Sequence, residues 1–274
     1  LTGMAIAVHQ AVSDDPESSV VNLLTDRPYE TVGRLEALIA DMNGILRGKR
    51  AERDDFHKLF EKGMNLCAAT AILDSRGNTF DSIPYGVNDG DPDARALAVP
   101  GSLAPVPWVS VPTAQVLIEM LDIDGTPYPR DPRNVLRRAM QPLYDMGLRP
   151  VLATELEFYL LEAGDTEQPS PLKGTIAGTG LKQQGIQYCM ADDLIDCDAF
   201  LDQVRAACDE QAVPLTAIHS EFAAGQWEIN THHTDDPVLA CDHAMLLKRI
   251  VKGVARKHGL AATFLAKPFD ELAG

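Results

Sequence analysis

Two glutamates lie two residues apart in a segment that is typical of a β-strand. Residues 151–161 alternate in polarity, and the two-residue period of a strand places Glu155 and Glu157 on one face. Leu156 and Phe158 fall on the opposite face, which is predicted to be buried. Glutamates at this spacing are roughly 6–7 Å apart, so they could bind one hard cation together or two separately. A strand with one solvated face often carries such a pair, and the alternation alone does not define a metal site.

A second pair of glutamates, Glu221 and Glu228, lies where two further predicted strands meet. The strands span 215–220 and 226–231 and are joined by a turn of small residues. If they are neighbours, both carboxylates converge beside His219. Four carboxylates without a cation would raise one another's pKa values and reduce stability. Oxygen ligands of this kind suit Mg²⁺ or Mn²⁺ better than a metal that prefers thiolates.

The composition is that of a globular chain with excess negative charge. Of its 274 residues 45% are hydrophobic and 23% are charged, and the formal net charge is −16. This charge argues against a nucleic-acid partner, which requires a basic face. No apolar run reaches the roughly 18 residues that span a membrane. The five cysteines form no C-x-x-C pair, which predicts reduced thiols and a cytoplasmic location.

Helices and strands alternate around the glutamates, which indicates an α+β or α/β arrangement. Residues 162–185 are rich in Gly, Pro, Thr and Gln, and a loop of this length is uncommon unless it is functional or disordered. N-cap and C-terminal signals fix the helix ends. The predicted elements are helices from Asp131 to about Gly147, from 199 to 211 and from Asp236 to His258, and a last strand over 261–266.

The first part of the chain is predicted to form a smaller, separate sheet domain. Residues 1–32 show no convincing period and are predicted to be a weakly ordered leader. Asn43-Gly44 suits a two-residue turn between two strands of a hairpin. A short helix near 54–62 follows, and then a stretch rich in β-forming residues and prolines to about residue 130.

Five motifs in a fixed order resemble those of the glutamine synthetase family. The resemblance covers roughly residues 34 to 274, and the shared order argues against chance agreement. The motifs are Asp41–Arg50, Asp131-Pro132-Arg133, the metal-binding strand at Thr154–Leu160, the second metal motif at Ser220–Asn230, and Ala262–Phe269, which precedes the family's Gly-x-Gly-x-His motif.

The resemblance implies an α+β fold of two domains after the leader at 1–32. These are an N-terminal β-grasp-like domain at 33–128 and an incomplete glutamine synthetase-type catalytic α/β domain at 129–274. It implies a ligase that uses ATP as co-substrate to activate the γ-carboxylate of glutamate as a phosphate, which an amine then attacks. Ring-shaped homo-oligomers are the expected assembly of the full-length form.

The resemblance also implies roles for individual residues. By motif position, Glu157, Glu221 and Glu228 are expected to hold one Mg²⁺ or Mn²⁺ ion, and Glu155 is expected to contribute to a second. His219 is expected behind these ligands or beside the substrate, and the alternative is a core or surface histidine without a role in the site. His233 falls near the position where the family contacts the nucleotide.

The amine is the point at which this sequence departs from glutamine synthetases proper. The family's Phe-Asp-Gly-Ser-Ser loop, which helps to bind ammonium, corresponds to residues 80–84, where Asp81 is retained. The Asn-Gly-x-x-Arg-Gly-Lys-Arg segment at 43–50 and the segment at 228–233 are closer to the γ-glutamylpolyamine synthetase branch. Putrescine or a related amine is therefore the expected substrate, and glutamine synthesis from ammonia is the alternative.

The chain reaches Gly274 where the family's Gly-x-Gly-x-His motif is expected to begin. The other ligands of the second cation, and the arginines that bind glutamate and phosphate, are expected after that point. Two further hypotheses therefore stay open. The chain could be a non-catalytic fragment that only co-assembles with full-length subunits, or an unrelated carboxylate-rich metal hydrolase, although the sequence has no H-E-x-x-H motif.

Overall fold

The computed structural model describes residues 32–80, 82, 89–162, 164 and 168–274. The chain forms two compact units, of which the first ends at Arg149 and the second begins at Pro150. Apart from Val32, the predicted leader lies outside the described residues. The domain boundaries derived from the sequence stay predictions.

The first unit is built on a six-stranded mixed sheet. The strand order is β2-β1-β6-β4-β3, with β5 also paired to β6; β1 and β6 run parallel and the other pairs are antiparallel. One short helix, α1, packs Phe56 and Leu59 into the core. The elements are β1 (Arg34–Ala40), β2 (Leu46–Ala51), α1 (Phe56–Glu61), β3 (Met64–Cys67), β4 (Asp93–Ala98), β5 (Ala104–Pro105) and β6 (Thr113–Leu121).

Strands β1 and β2 form the predicted hairpin, but its connection is longer than two residues. The register leaves residues 41–45 between the paired strands. The buried carboxylate of Asp41 accepts hydrogen bonds from the N–H groups of Asn43 and Ile45, both at 2.9 Å, and from Arg47 Nε at 2.7 Å. A side chain that bonds the loop's own amides stabilises this wider turn over the tight turn expected of Asn-Gly.

Helix α2 (Pro132–Asp145) follows the first sheet and begins as the sequence predicts. Asp131 is its N-cap and accepts from the N–H of Arg133 at 2.9 Å. The second carboxylate oxygen of Asp131 accepts from the N–H of Met120 on β6 at 2.8 Å. Asp131 therefore joins the start of the helix to the sheet. Gly147, at φ 75°, follows the last helical turn.

The second unit is a four-stranded antiparallel sheet with helices packed against one face. The strand order is β10-β7-β9-β8. None of the helices in the described part of the chain is long and apolar enough to cross a lipid bilayer. The elements are β7 (Glu155–Leu161), α3 (Ala191–Asp196), α4 (Asp198–Glu210), β8 (Leu215–Ser220), β9 (Gln226–Thr231), α5 (Pro237–Lys257) and β10 (Ala261–Thr263).

The two faces of this sheet differ in polarity, as the alternation along β7 predicts. Phe158, Trp227 and Ile229 are almost completely buried, and the rings of Phe158 and Phe200 on α4 lie 6.5 Å apart. Burying each such side chain contributes roughly 1.5–3 kcal/mol, which holds the sheet against the helices. Glu155, Glu157 and Glu228 alternate with these residues along β7 and β9 and therefore lie on the opposite face.

Three elements of this unit differ from the sequence prediction. Strand β10 ends at Thr263, whereas the predicted strand runs to residue 266. Strand β7 begins at Glu155, whereas the predicted strand begins at residue 151; Leu152 makes only an isolated bridge to Thr234. Helix α3 is absent from the prediction, because its six residues are too few to show a helical period. The two strand differences lie at strand ends, where local pattern carries the least information.

Candidate metal centre

Three side chains on neighbouring strands bring possible ligand atoms together. His219 on β8, Glu221 directly after β8 and Glu228 on β9 each offer one atom, and these atoms all lie within 4.8 Å of one another. His219 Nε2 is 3.2 Å from Glu221 Oε1 and 3.9 Å from Glu228 Oε1. Two carboxylates and one imidazole, with no thiol, form a donor set that fits a divalent cation such as Mg²⁺ or Mn²⁺.

Strand register explains why these residues meet. Glu228 lies on β9 between β7 and β8, opposite Glu157 on one side and opposite His219 on the other. Directly opposed residues of an antiparallel pair have Cβ atoms roughly 4.5–5.5 Å apart. Glu155 is opposite Asn230, one step further along the same face. The predicted convergence of Glu221 and Glu228 beside His219 is therefore present, and Glu228 is also the residue that faces Glu157.

The turn between β8 and β9 fixes the backbone of Glu221. The N–H of Glu221 donates to the carbonyl of Gln226 at 2.8 Å. Gly225 adopts φ 85°, and a Cβ at that position would lie 2.8 Å from Pro171 Cβ and 3.0 Å from the carbonyl oxygen of Leu172. Only glycine avoids both the strained conformation and this contact, so the turn depends on Gly225 for its shape.

Glu157 is oriented by a buried glutamine. Gln226 Nε2 donates to Glu157 Oε2 at 2.7 Å, and Gln226 Oε1 accepts from the N–H of Ala223 at 3.1 Å. Because the carbonyl end of this amide is occupied, its NH₂ group faces the carboxylate. Glu155 and Glu157 line a cavity of about 230 Å³, which Phe264 also lines.

The electrostatics of the cluster favour a bound cation. Burial raises the pKa of Glu228, and the negative charges of Glu221 and Glu155 add to the rise. A hydrogen bond from Asn230 and the proximity of His219 act in the opposite direction and lower the pKa of Glu228. A positive ion among these carboxylates would stabilise their charged forms and offset the cost of burying them.

Tyr188 lies at the edge of this cluster, and no pattern in the sequence points to it. Its ring is 6.1 Å from the ring of His219, edge to face. The pKa of the Tyr188 phenol is raised, first by the neighbouring Cys189 and next by the charge of Glu221. Tyr188 belongs to the long connection between β7 and α3, which has no periodic pattern from which a position could be read.

His233 is exposed in the connection that follows β9. Asp81 lies outside the described residues. The roles assigned to these two residues, and to the four glutamates as ligands, stay predictions. Arg47 Nε bonds the buried carboxylate of Asp41 at 2.7 Å within the first unit.

Comparison with known proteins shows a match over the second half of the chain. The family described as glutamine synthetase, catalytic domain, matches residues 129–274. Gamma-glutamylputrescine synthetase PuuA of Escherichia coli (strain K12) is 37% identical over 246 residues, which are 90% of this chain and 52% of that protein. Glutamate–isopropylamine ligase of a Pseudomonas species is 31% identical over 236 residues, or 85% of this chain and 50% of that protein. The chain thus spans about half the length of these curated relatives.

A solved structure has the same fold. GmaS in complex with ADP superposes with a TM-score of 0.74, covering 96% of this chain and 54% of that chain at 21% sequence identity. At this identity the likeness establishes the fold alone. The ligand of that complex belongs to GmaS.

Proposed function

This chain belongs to the glutamine synthetase family, and we propose that it is part of an ATP-dependent ligase that joins glutamate to an amine. Putrescine or a related amine is the proposed acceptor. One observation carries the proposal: His219, Glu221 and Glu228 converge, with Glu157 opposite, on the exposed face of the sheet. Similarity to a γ-glutamylputrescine synthetase supports the choice of amine.

The proposed chemistry solves a leaving-group problem. An oxygen of the glutamate γ-carboxylate attacks the terminal phosphorus of ATP, and ADP leaves, which gives γ-glutamyl phosphate. The amine nitrogen then attacks the acyl carbon, loses a proton and displaces inorganic phosphate. Carboxylate oxygen is a poor leaving group and phosphate is a good one, so ATP cleavage drives formation of the amide.

The glutamates are proposed to hold the cations that this chemistry needs. Glu157, Glu221 and Glu228 would bind one Mg²⁺ or Mn²⁺ ion, and Glu155 would contribute to a second. Such ions, when bound, neutralise negative charge on the phosphoryl group that is transferred. The chain's own part is to keep the carboxylates in place, through the strand register and the hydrogen bond from Gln226 to Glu157.

Other parts of the proposal rest on motif position. His233 is proposed to contact the nucleotide, and Asp81 is proposed to lie on the amine side. The first unit is proposed to be the β-grasp-like domain.

A ring-shaped homo-oligomer is proposed for the full-length protein. Mass photometry of that protein would measure the subunit number, and a monomer at assay concentration would contradict the ring.

Phosphate release is the direct test of the activity. The 274-residue chain, and a version extended along its coding sequence, would be supplied with ATP, Mg²⁺, glutamate and either putrescine, isopropylamine or ammonium. Release that depends on putrescine supports the proposal, and a preference for ammonium supports glutamine synthesis. Release by the extended version alone would assign the activity to the longer protein, whereas no release from either version would favour a non-catalytic role.

A further inference from the structure

Gln187 is a buried polar residue in the connection between β7 and α3. Its exposed fraction is 1%, whereas its neighbours Ile186 and Tyr188 are 60% and 58% exposed. A buried amide is costly unless both of its ends are hydrogen-bonded. The sequence around Gln187 shows no motif or period that would predict its burial, so its hydrogen-bond partners have to explain it.

Gln187 bonds the β8–β9 turn through both its side chain and its backbone. Its Oε1 accepts from the N–H of Gly225 at 3.2 Å, and its Nε2 donates to the carbonyl of Gln226 at 2.8 Å. Its backbone N–H donates to the carbonyl of Phe222 at 3.2 Å, and its carbonyl accepts from Ser220 Oγ at 3.1 Å. Gln187 therefore bonds the connection to both sides of the turn that carries Glu221.

Gln226, which Gln187 bonds, also forms hydrogen bonds with Glu221 and Glu157. The carbonyl of Gln226 accepts from Gln187 Nε2 and also from the N–H of Glu221. The side chain of the same Gln226 donates to Glu157. Displacement of the Gln226 backbone would therefore shift the positions of both glutamates together.

We infer that Gln187 is a positioning residue for the cation site, acting through Gln226 and the backbone of the β8–β9 turn. The inference rests on the proposed function, because it presumes that the glutamates bind a divalent ion. Gln187 touches no ligand atom itself. Groups that orient metal ligands in this way typically change metal affinity by about 10–100-fold when they are removed.

The test compares Mn²⁺ binding by variants of the 274-residue chain. Gln187→Met keeps the volume of the side chain but loses both amide hydrogen bonds, whereas Gln187→Glu keeps an acceptor for the Gly225 N–H and loses the donor to Gln226. The matched control is Gln184→Met, at an exposed position three residues earlier in the same connection. Free Mn²⁺ would be measured by electron paramagnetic resonance, and thermal melting would confirm that each variant is folded.

We expect Gln187→Met and Gln187→Glu each to weaken Mn²⁺ binding by about tenfold or more, and Gln184→Met to leave it unchanged. Hydrogen exchange at the Gly225 and Glu221 amides should become faster in Gln187→Met, a change that can be measured without metal. Equal Mn²⁺ binding by the wild type and Gln187→Met would overturn the inference alone. Failure of the wild type to bind Mn²⁺ would overturn the proposed site, and the inference with it, even if the exchange rates change.

Discussion

Glu157 and Glu228 face each other across the antiparallel pair of β7 and β9. Like charges in directly opposed positions destabilise a sheet. Each carboxylate accepts a hydrogen bond from a neighbouring amide: Gln226 donates to Glu157, and Asn230 donates to Glu228. A cation between them would convert this repulsion into attraction, and that expectation can be tested by substitution.

Removing one charge from the facing pair should weaken cation binding. Glu157→Gln and Glu228→Gln keep the side-chain size but remove an anionic ligand, and each should lower Mn²⁺ affinity by about tenfold or more. Glu210→Gln, at an exposed position at the end of α4, is the control and should bind like the wild type. Isothermal titration of Mn²⁺ into the three variants and the wild type makes the comparison. Unchanged affinity in both site variants would refute the ligand assignment.

The turn at Gly225 should tolerate no side chain. Gly225→Ala introduces a Cβ that would lie 2.8 Å from Pro171 Cβ while the backbone stays at positive φ. Gly259 also has a positive φ but nothing within 4 Å of an added Cβ, so Gly259→Ala measures the conformational cost alone. That cost is about 1–2 kcal/mol, and the contact should make Gly225→Ala clearly less stable than Gly259→Ala.

Urea unfolding followed by circular dichroism provides the two free energies of unfolding. The Gly225→Ala protein should also bind Mn²⁺ more weakly, because the turn sets the backbone of Glu221. Equal free energies of unfolding for the two alanine variants would contradict the close packing of Pro171 and Leu172 against the turn.

Asp131 should give the first unit a characteristic dependence of stability on pH. Burial raises the pKa of this carboxyl, although the N–H groups of Met120 and Arg133 oppose the rise. A group whose pKa is higher in the folded state binds its proton more tightly there. The stability from that proton is fully present below the unfolded pKa and is lost as the pH rises through the folded pKa.

The measurement compares the wild type with Asp131→Ala from the acid range to neutrality. The variant loses a helix cap and leaves the Met120 N–H without its acceptor, which should cost about 2 kcal/mol or more. The stability difference should shrink as the pH rises. Asp124→Ala is the control with opposite sign, because hydrogen bonds from Thr126 lower the pKa of the Asp124 carboxyl.

The five cysteines should react in an order set by burial. Cys189 and Cys241 are exposed and should be alkylated first at about pH 8. Burial raises the pKa of Cys197 to about 11 and that of Cys208 to about 12, so very little of either thiol is ionised at that pH. Mass spectrometry of peptides labelled by iodoacetamide reads out the order, and early labelling of Cys208 in folded protein would contradict its burial.

Much of the second unit could be predicted from sequence because its signals are local. The limits of β8 and β9 follow from period-two alternation, and Asp236-Pro237 marks the start of α5. The prediction that Glu221 and Glu228 converge beside His219 is confirmed, because the ligand atoms of the three residues all lie within 4.8 Å of one another. The family assignment is also confirmed, by the match of the glutamine synthetase catalytic domain to residues 129–274. It could be made from sequence because several motifs in a fixed order are more specific than any single motif.

Residues that act through long-range contacts were not predictable. Gln187 and Tyr188 come from a connection without period, and their partners lie 30 or more residues away. Nothing local distinguishes Gln187 from the exposed Gln184 in the same segment. Only the folded chain shows that one of these amides is buried against the turn and the other is not.

The separation of the ligands along the chain has a kinetic consequence. His219, Glu221 and Glu228 belong to one hairpin with a short turn, whereas Glu157 and Gln226 meet across 69 positions of sequence. Short loops close faster than long ones. A refolding chain should therefore bring His219, Glu221 and Glu228 together before Glu157 joins them. In stopped-flow refolding with Mn²⁺, a weak early binding phase should precede a tighter late one, and Glu157→Gln should abolish the late phase alone.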